Sequence, residues 1–455
     1  MLKFLCIKGL QNQIPNRVLT NRGQAMLSSV VFFVFISLVI ISGLASPTIR
    51  EYKITNDLLQ SKRSFFAADS GIEDVYYRLL QGLPHLELGT YDVNVGSDYT
   101  TVQIGSMVAS QRTISSTGNS NGRKRIIQFI TNYQSSVTFN SGLQFGKGGL
   151  LAQGANSWVA GSITSAGPVI GTNLNTVLQG GAISSGNTGL VQNLRFSTST
   201  FDVHSHTIDN SFITGNAYYT NISNSTVNGI SYPNSPDMPV YPLPITDTMI
   251  AKFEDIALAG GVYGGPCPYN ISSGTVNLGP IKIPCSSFNI TGTANVRVNG
   301  PIWVTGNINV SNTAVLSVGA GVGSGSSVPV IADNHLNRST SSQVTMNTAS
   351  MVVGVGSDSY VMLISQNNDA ENGGSQDAVL LRSSGGNNTS VLLYAPHGNI
   401  NVQSTDGSGV LQLISGYKAT LTAINSALTA KRNPTSLTFP VNQLNIWTST
   451  QWKEI

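Results

Sequence analysis

Residues 288–318 read "FNITGTANVRVNGPIWVTGNINVSNTAVLSV", and the apolar pairs Val296/Val298, Ile302/Val304 and Ile308/Val310 recur in it every six residues. Within each pair the two side chains point to one face of a short strand, and the Gly, Asn, Thr or Ser between pairs turns the chain. The triplet Gly-Pro-aliphatic also recurs, at Gly167-Pro168-Val169, Gly279-Pro280-Ile281 and Gly300-Pro301-Ile302. Repeats of roughly 18–24 residues with short strands and small residues at the corners are what a β-solenoid (β-helix) requires. A β-sandwich with regular strand spacing is the competing architecture. The short strands favour the solenoid, and the expected fold class is mainly β.

Composition agrees with that reading. Of 455 residues only 10% are charged while 40% are hydrophobic, and the net charge is +3, which excludes the low-hydrophobicity, high-charge signature of disorder. Residues 140–455 carry 13 acids against 11 Lys and Arg, so they offer no basic surface for nucleic acid. The dense basic triplet Arg123-Lys124-Arg125 falls on an expected strand, where it reads as a solvated edge.

The other decisive stretch is "RGQAMLSSVVFFVFISLVIISGLASP" (22–47). From Gln24 to Ser46 it is uncharged and long enough to span about 30 Å of hydrocarbon as a helix. A signal-peptide core is shorter, about 7–15 residues; cleavage after Ala45 is the alternative. Lys3, Lys8, Arg17 and Arg22 precede the run with no acid among them, which predicts a cytoplasmic N-terminus and an extracytoplasmic remainder. Helical periodicity continues through Ile54, Leu58, Phe65, Ala68, Ile72, Val75 and Leu79, so the helix is expected to reach Gln81 and stop at Gly82 and Pro84. Pro47 should bend it just outside the bilayer. Four alternating segments follow, at 91–95, 100–106, 112–118 and 123–134, and predict a small antiparallel sheet packed on the apolar stripe.

A basic leader ending in Arg22-Gly23, an immediate hydrophobic helix and "SKRSFFAADSGIEDVYYRL" (61–79) together resemble the N-terminus of PilX-type minor pilins of type IV pilus systems, over about residues 20–135. The resemblance implies cleavage by a prepilin peptidase between Gly23 and Gln24, methylation of the new amine, and other pilin subunits as partners. Gln24 and Ser28 stand where that family carries Phe or Met and, at the fifth mature position, Glu. Ser28 cannot supply the carboxylate that a buried amine of a neighbouring subunit would pair with.

Beyond residue 140 one segment breaks the strand pattern. "SYPNSPDMPVYPLPITDTMIAKFEDIALAGG" (231–261) is a proline-rich linker and then a helix capped by Thr246 or Asp247, with Ile250, Phe253 and Ala257 as its buried stripe and Gly260-Gly261 as its end. The expected organisation is a leader (1–23), a transmembrane helix (24–46), a pilin-like helix and sheet (47–135), a first solenoid section (140–230), the linker and helix (231–261), and a second solenoid section with C-terminal closure (262–455). That layout, with "SYVMLIS" (359–365), "LLYAPHGNINV" (392–402) and "WTSTQWKEI" (447–455), resembles large pilin-like surface proteins of bacteria.

Candidate chemistry is sparse. Cys267 and Cys285 are 18 residues apart, about one solenoid turn, so they are expected to form a disulfide or to be two separately buried thiols, while Cys6 falls on the cytoplasmic side. "DVHSH" (202–206) puts Asp202, His204 and His206 on one strand face, three potential Zn²⁺ ligands against the four of a structural site. Asp358, Asp369, Glu371 and Asp377 surround the loop "NNDAENGGSQD" and suit Ca²⁺ or solvent better than catalysis. The sequons at Asn270, Asn289 and Asn388 are what an Asn/Ser/Thr-rich chain contains by composition. No metal or cofactor is expected. The function expected is structural or adhesive at the cell surface, not enzymatic, with a carbohydrate or protein ligand; the alternatives are a carbohydrate-active enzyme on the same scaffold and a monomeric anchored protein. A groove lined by Asn, Ser and Thr would favour adhesion, and paired carboxylates beside an aromatic platform would favour the enzyme.

Overall fold

Aliphatic and aromatic residues with strong helical periodicity form α1 (Arg22–Gln81), a 60-residue helix that runs through Pro47. The structure, a computed structural model, describes residues 22–81, 89–108, 111–134, 136–154, 156–347, 351–356, 358–382, 390–403, 413–422, 427–430, 435–439 and 446–455. The leader residues before Arg22, including Cys6, lie outside these, as do Gly82, Pro84 and Asn388. Contacts divide the chain into two units: residues up to Thr131 together with Ser449–Ile455, and Asn132–Thr448.

In the first unit α1 is long and apolar enough over its N-terminal half to cross a membrane, and that half is uncovered, with Phe33 75% and Phe35 70% exposed. Four strands follow, β1 (Gly89–Val95), β2 (Asp98–Val108), β3 (Gln111–Ser120) and β4 (Arg123–Gln134). β2 pairs antiparallel with β1 and with β3. Ser64, Ala67, Ala68, Ile72, Val75 and Leu79 of α1 are buried, together with Val102, Ile104, Ile114 and Ile127 of the strands. The apolar stripe was expected to be covered from Ile54; instead Ile54 and Leu58 are more than half exposed. α1 runs lengthwise along β3, with Gln60 accepting from Ser120, Ser64 and Ala68 against Gly118, and Gly71 against Ser116, so the helix before about Gln60 lies beyond the end of that strand.

The fifth strand of this sheet comes from the far end of the chain. Ile446–Glu454 lies beside β4, so the sheet order is β1-β2-β3-β4 and then the C-terminal strand. The sequence reading placed these residues at the end of the second solenoid section, whereas Ser449–Ile455 belong to the first unit. An edge-on contact of Trp452 with Phe65 (6.1 Å) and a 2.9 Å ion pair from Arg125 to Glu454 fasten it.

The second unit is built mainly from parallel strands, most of them short, with one antiparallel pair between Ser136–Phe139 and Thr435–Thr438. Ser287–Ile290 pairs with Tyr269–Ile271 on one side and Asn307–Val310 on the other, with Phe288 opposite Tyr269 and Ile308. Leu143–Ala152 pairs with Ile163–Ser165 and Val169–Gly171, and also with Leu413–Leu421 from the opposite end of the unit. Inward-facing residues such as Phe145, Phe196, Phe288, Val296, Ile302 and Leu363 form one continuous core. Like residues line up on the outer surface. Asn309, Asn289 and Asn270 form an amide ladder with 2.7 Å steps, and His204, Tyr218 and Tyr232 stack at 4.2 and 4.4 Å. Such ladders arise where parallel strands are in register.

The helix expected near residue 247 is α2 (Asp247–Ala259), capped at the N-terminus by Thr246 and ended by Gly260. Its Met249, Ile250 and Phe253 join Val137, Phe139, Leu437 and Phe439 in a second core over the outer face of Tyr360, Met362, Leu392 and Tyr394. Tyr394 is fully buried, and its hydroxyl accepts from the Ile245 amide (3.1 Å) and donates to the Ile245 carbonyl. That bond fixes the end of the proline-rich linker.

Candidate functional site

Three adjacent parallel strands, Asp377–Arg382, Val391–Val402 and Leu413–Leu421, place polar residues side by side on one surface. Asp377 lies opposite Asn399 and Asn399 opposite Lys418, while Asn401 lies opposite Thr420. With Gln153, Thr422 and the loop residues Ala370, Gly374 and Ser375, they line a groove of about 270 Å³. Strand alternation makes this possible, because Asn399 and Asn401 flank Ile400, which points into the core.

Hydrogen bonds hold the lining in place. Asp377 accepts from the amides of Asn399 (2.7 Å) and Asn401 (2.8 Å), Asn399 also donates to Thr420 (3.0 Å), and Thr422 donates to Asn401 (2.8 Å). Asn399 is 8% exposed, and its carbonyl oxygen Oδ1 is buried with no hydrogen-bond partner. A buried acceptor in that condition carries a desolvation penalty of about 1–3 kcal/mol. Among the described residues of the lining, Asp377 is the one carboxylate and there is no aromatic ring.

The acidic loop residues do not converge. Asp369 accepts from the Gln376 amide (2.7 Å), and Glu371 pairs with His397 (2.5 Å), whose other ring nitrogen meets Asp247 on α2 (3.0 Å). Tyr360 donates to Asp358 (3.4 Å), away from the other three. Burial alone would lower the His397 pKa, but the hydrogen bonds and charges of Asp247 and Glu371 outweigh it and raise the value.

The "DVHSH" residues also separate. His204 stacks on Tyr218, His206 pairs with Asp237 (3.0 Å), and Asp202 accepts from Asn216 (3.0 Å). Burial lowers the His204 pKa more than Asp202 raises it. Cys267 and Cys285 are joined by a disulfide with Cα atoms 5.3 Å apart. Arg123 pairs with Asp57 (2.6 Å). Gly23 and Gln24 lie in the first turn of α1.

Sequence reasoning missed a buried ionic cluster. Glu254 of α2 and Asp333, at the end of the strand Val328–Ala332, both reach Nε2 of His335, at 2.9 and 3.1 Å. Arg338 grips Asp333 with two bonds of 2.8 and 2.6 Å. Burial, and then the neighbouring Asp333 charge, push the Glu254 carboxyl up to about 9. The available signal was helical spacing: Glu254 follows Ile250 by four residues and therefore lies on the buried face.

No family model and no curated protein matches the chain. Among solved structures it is similar to the competence-associated pilin ComZ from Thermus thermophilus, at 12% identity over 87% of this chain and 97% of that one, with a TM-score of 0.26. A score of that size falls short of a shared fold, and the PilX-type resemblance gains no support from it.

Proposed function

We propose that the chain is a pilin-like cell-surface protein, anchored by α1, whose second unit is a β-solenoid that binds a carbohydrate in the groove around Asn399. The observation that carries this reading is the lining itself: amide and hydroxyl groups, the Lys418 ammonium and one carboxylate. Sugar hydroxyls donate and accept at once, and planar amide and carboxylate groups fixed by their own hydrogen bonds match them. Glycoside hydrolysis requires two carboxyl groups about 5–9.5 Å apart, and among the described residues this lining offers one, which favours binding without cleavage. The volume lies just under the range of about 300–1,000 Å³ for drug-sized ligands, which suits one sugar unit of a longer chain. The solenoid reading is supported by the parallel registers and the Asn and aromatic ladders.

Beyond the membrane-length run, Ile49, Tyr52, Ile54, Leu58 and Leu59 of α1 remain uncovered, which suits a helix packed among copies of itself, as in a pilus. A glycan array probed with the full-length chain in detergent tests the binding reading. Retention of particular glycans, lost in Asn399→Ala and Asp377→Asn, is expected; retention unchanged in both variants would remove the groove from the proposal. Release of new reducing ends would instead support the enzyme.

A further inference from the structure

Three potential ligand atoms of Glu254, Asp333 and His335 lie within 4.8 Å of one another, the one such group among the described residues. We propose that these three residues bind a divalent transition-metal ion, Zn²⁺ being the species that their one nitrogen and two carboxylate donors suit. This site is separate from the groove and does not rest on the carbohydrate reading.

Geometry carries the inference. In a tetrahedral site with bonds of about 2.0–2.2 Å, ligand atoms lie about 3.3–3.5 Å apart. Here Nε2 of His335 is 2.9 Å from Oε2 of Glu254 and 3.1 Å from Oδ2 of Asp333, so these two separations need to widen by only a few tenths of an ångström, and the carboxylate donors lie within 4.8 Å of each other. Two of the three are fixed. Asp333 is fully buried, its amide donates to the Val304 carbonyl (2.9 Å), and its carbonyl accepts from the Trp303 indole (2.9 Å). Glu254 is 4% exposed, and its second oxygen, Oε1, is buried without a hydrogen-bond partner. That unpartnered oxygen is a second observation beside the cluster: a buried carboxyl oxygen without a donor is costly, and a cation held by Glu254 would supply its partner.

His335 supplies the adjustable side. Its ring stacks on Trp303 at 5.0 Å while the side chain stays 51% exposed, which leaves an approach for the ion and a coordination position open to water. Arg338 does not block the site. It occupies one lone pair on each Asp333 oxygen, and each oxygen has two. Its charge also offsets one of the two buried carboxylates and fixes the orientation of the Asp333 carboxylate, as partners outside the ligand set do at metal sites.

The test uses the full-length chain in detergent micelles, stripped with a chelator and titrated with ZnCl₂ by calorimetry and with CoCl₂ by visible absorption. One equivalent of Zn²⁺ per chain and the d–d bands of inner-sphere Co²⁺ are expected. His335→Ala should weaken binding at least about 10–100-fold, and Glu254→Gln likewise, with His206→Ala unchanged, each variant first being shown to keep the wild-type circular-dichroism spectrum and melt. Absence of uptake by the wild-type chain, or uptake equal in His335→Ala, would overturn the site.

Discussion

His397 shows how a single side chain joins distant parts of the second unit. It stands between Glu371 of the acidic loop and Asp247 in the first turn of α2, and their hydrogen bonds and charges raise its pKa above the unfolded value of about 6.5. The sign follows from linkage: with the folded pKa raised, the stabilisation is fully present below about pH 6.5 and is lost as pH rises through the folded value. Thermal melts of wild type and His397→Gln should therefore differ more at pH 5.5 than at pH 8.5; an equal difference at both pH values would show that the imidazolium charge contributes nothing. None of this was legible beforehand, because 150 residues separate His397 from Asp247. Glu254 was half legible. Its place on the buried face of α2 follows from spacing, but its partner His335 lies 81 residues away, and only the fold brings the two together.

At the scale of elements, what could be read was local. Strands β1 to β4 and helix α2 follow from alternation, helical spacing and the Thr246 cap, all of which act over a few residues. The extent of helix covering depends on where β3 ends beneath α1, so the stripe expected from Ile54 is buried only from Ser64. Close approach of helix to sheet rests on small residues. A β-carbon at Gly118 of β3 would lie 1.9 Å from the Ser64 carbonyl oxygen and 2.5 Å from the Ala68 nitrogen, both backbone atoms of α1. Gly118→Val should therefore push α1 off the sheet and lower the stability of the first unit by at least about 1–3 kcal/mol, measured by denaturant melts of the detergent-solubilised chain. Gly264→Ala, at a glycine outside the left-handed region with nothing within 4 Å of an added β-carbon, is the control.

For the molecule as a whole, the N-terminal run and the groove are legible to different degrees. The apolar helix is written in contiguous residues, whereas Asp377, Asn399, Lys418 and Thr422 become a surface only when three strands stack in register. The fate of the N-terminus decides between the pilin-like and simple-anchor readings. Intact mass of the protein from membranes should show a start at methylated Gln24; a start at Met1 would leave an anchor alone, and a start at Ser46 would remove both.

The strand Ile446–Glu454 also sets a timetable. It is the neighbour of β4 in the sheet, yet 312 residues of synthesis separate Gln134 from Ile446. At a ribosomal pace of about 5–20 residues per second, one edge of that sheet waits roughly 15–60 s for its partner. During that interval the exposed β4 edge is a template for any other strand, so the nascent chain needs shielding until Ile446–Glu454 has been made. Every prematurely terminated product would carry that open edge permanently.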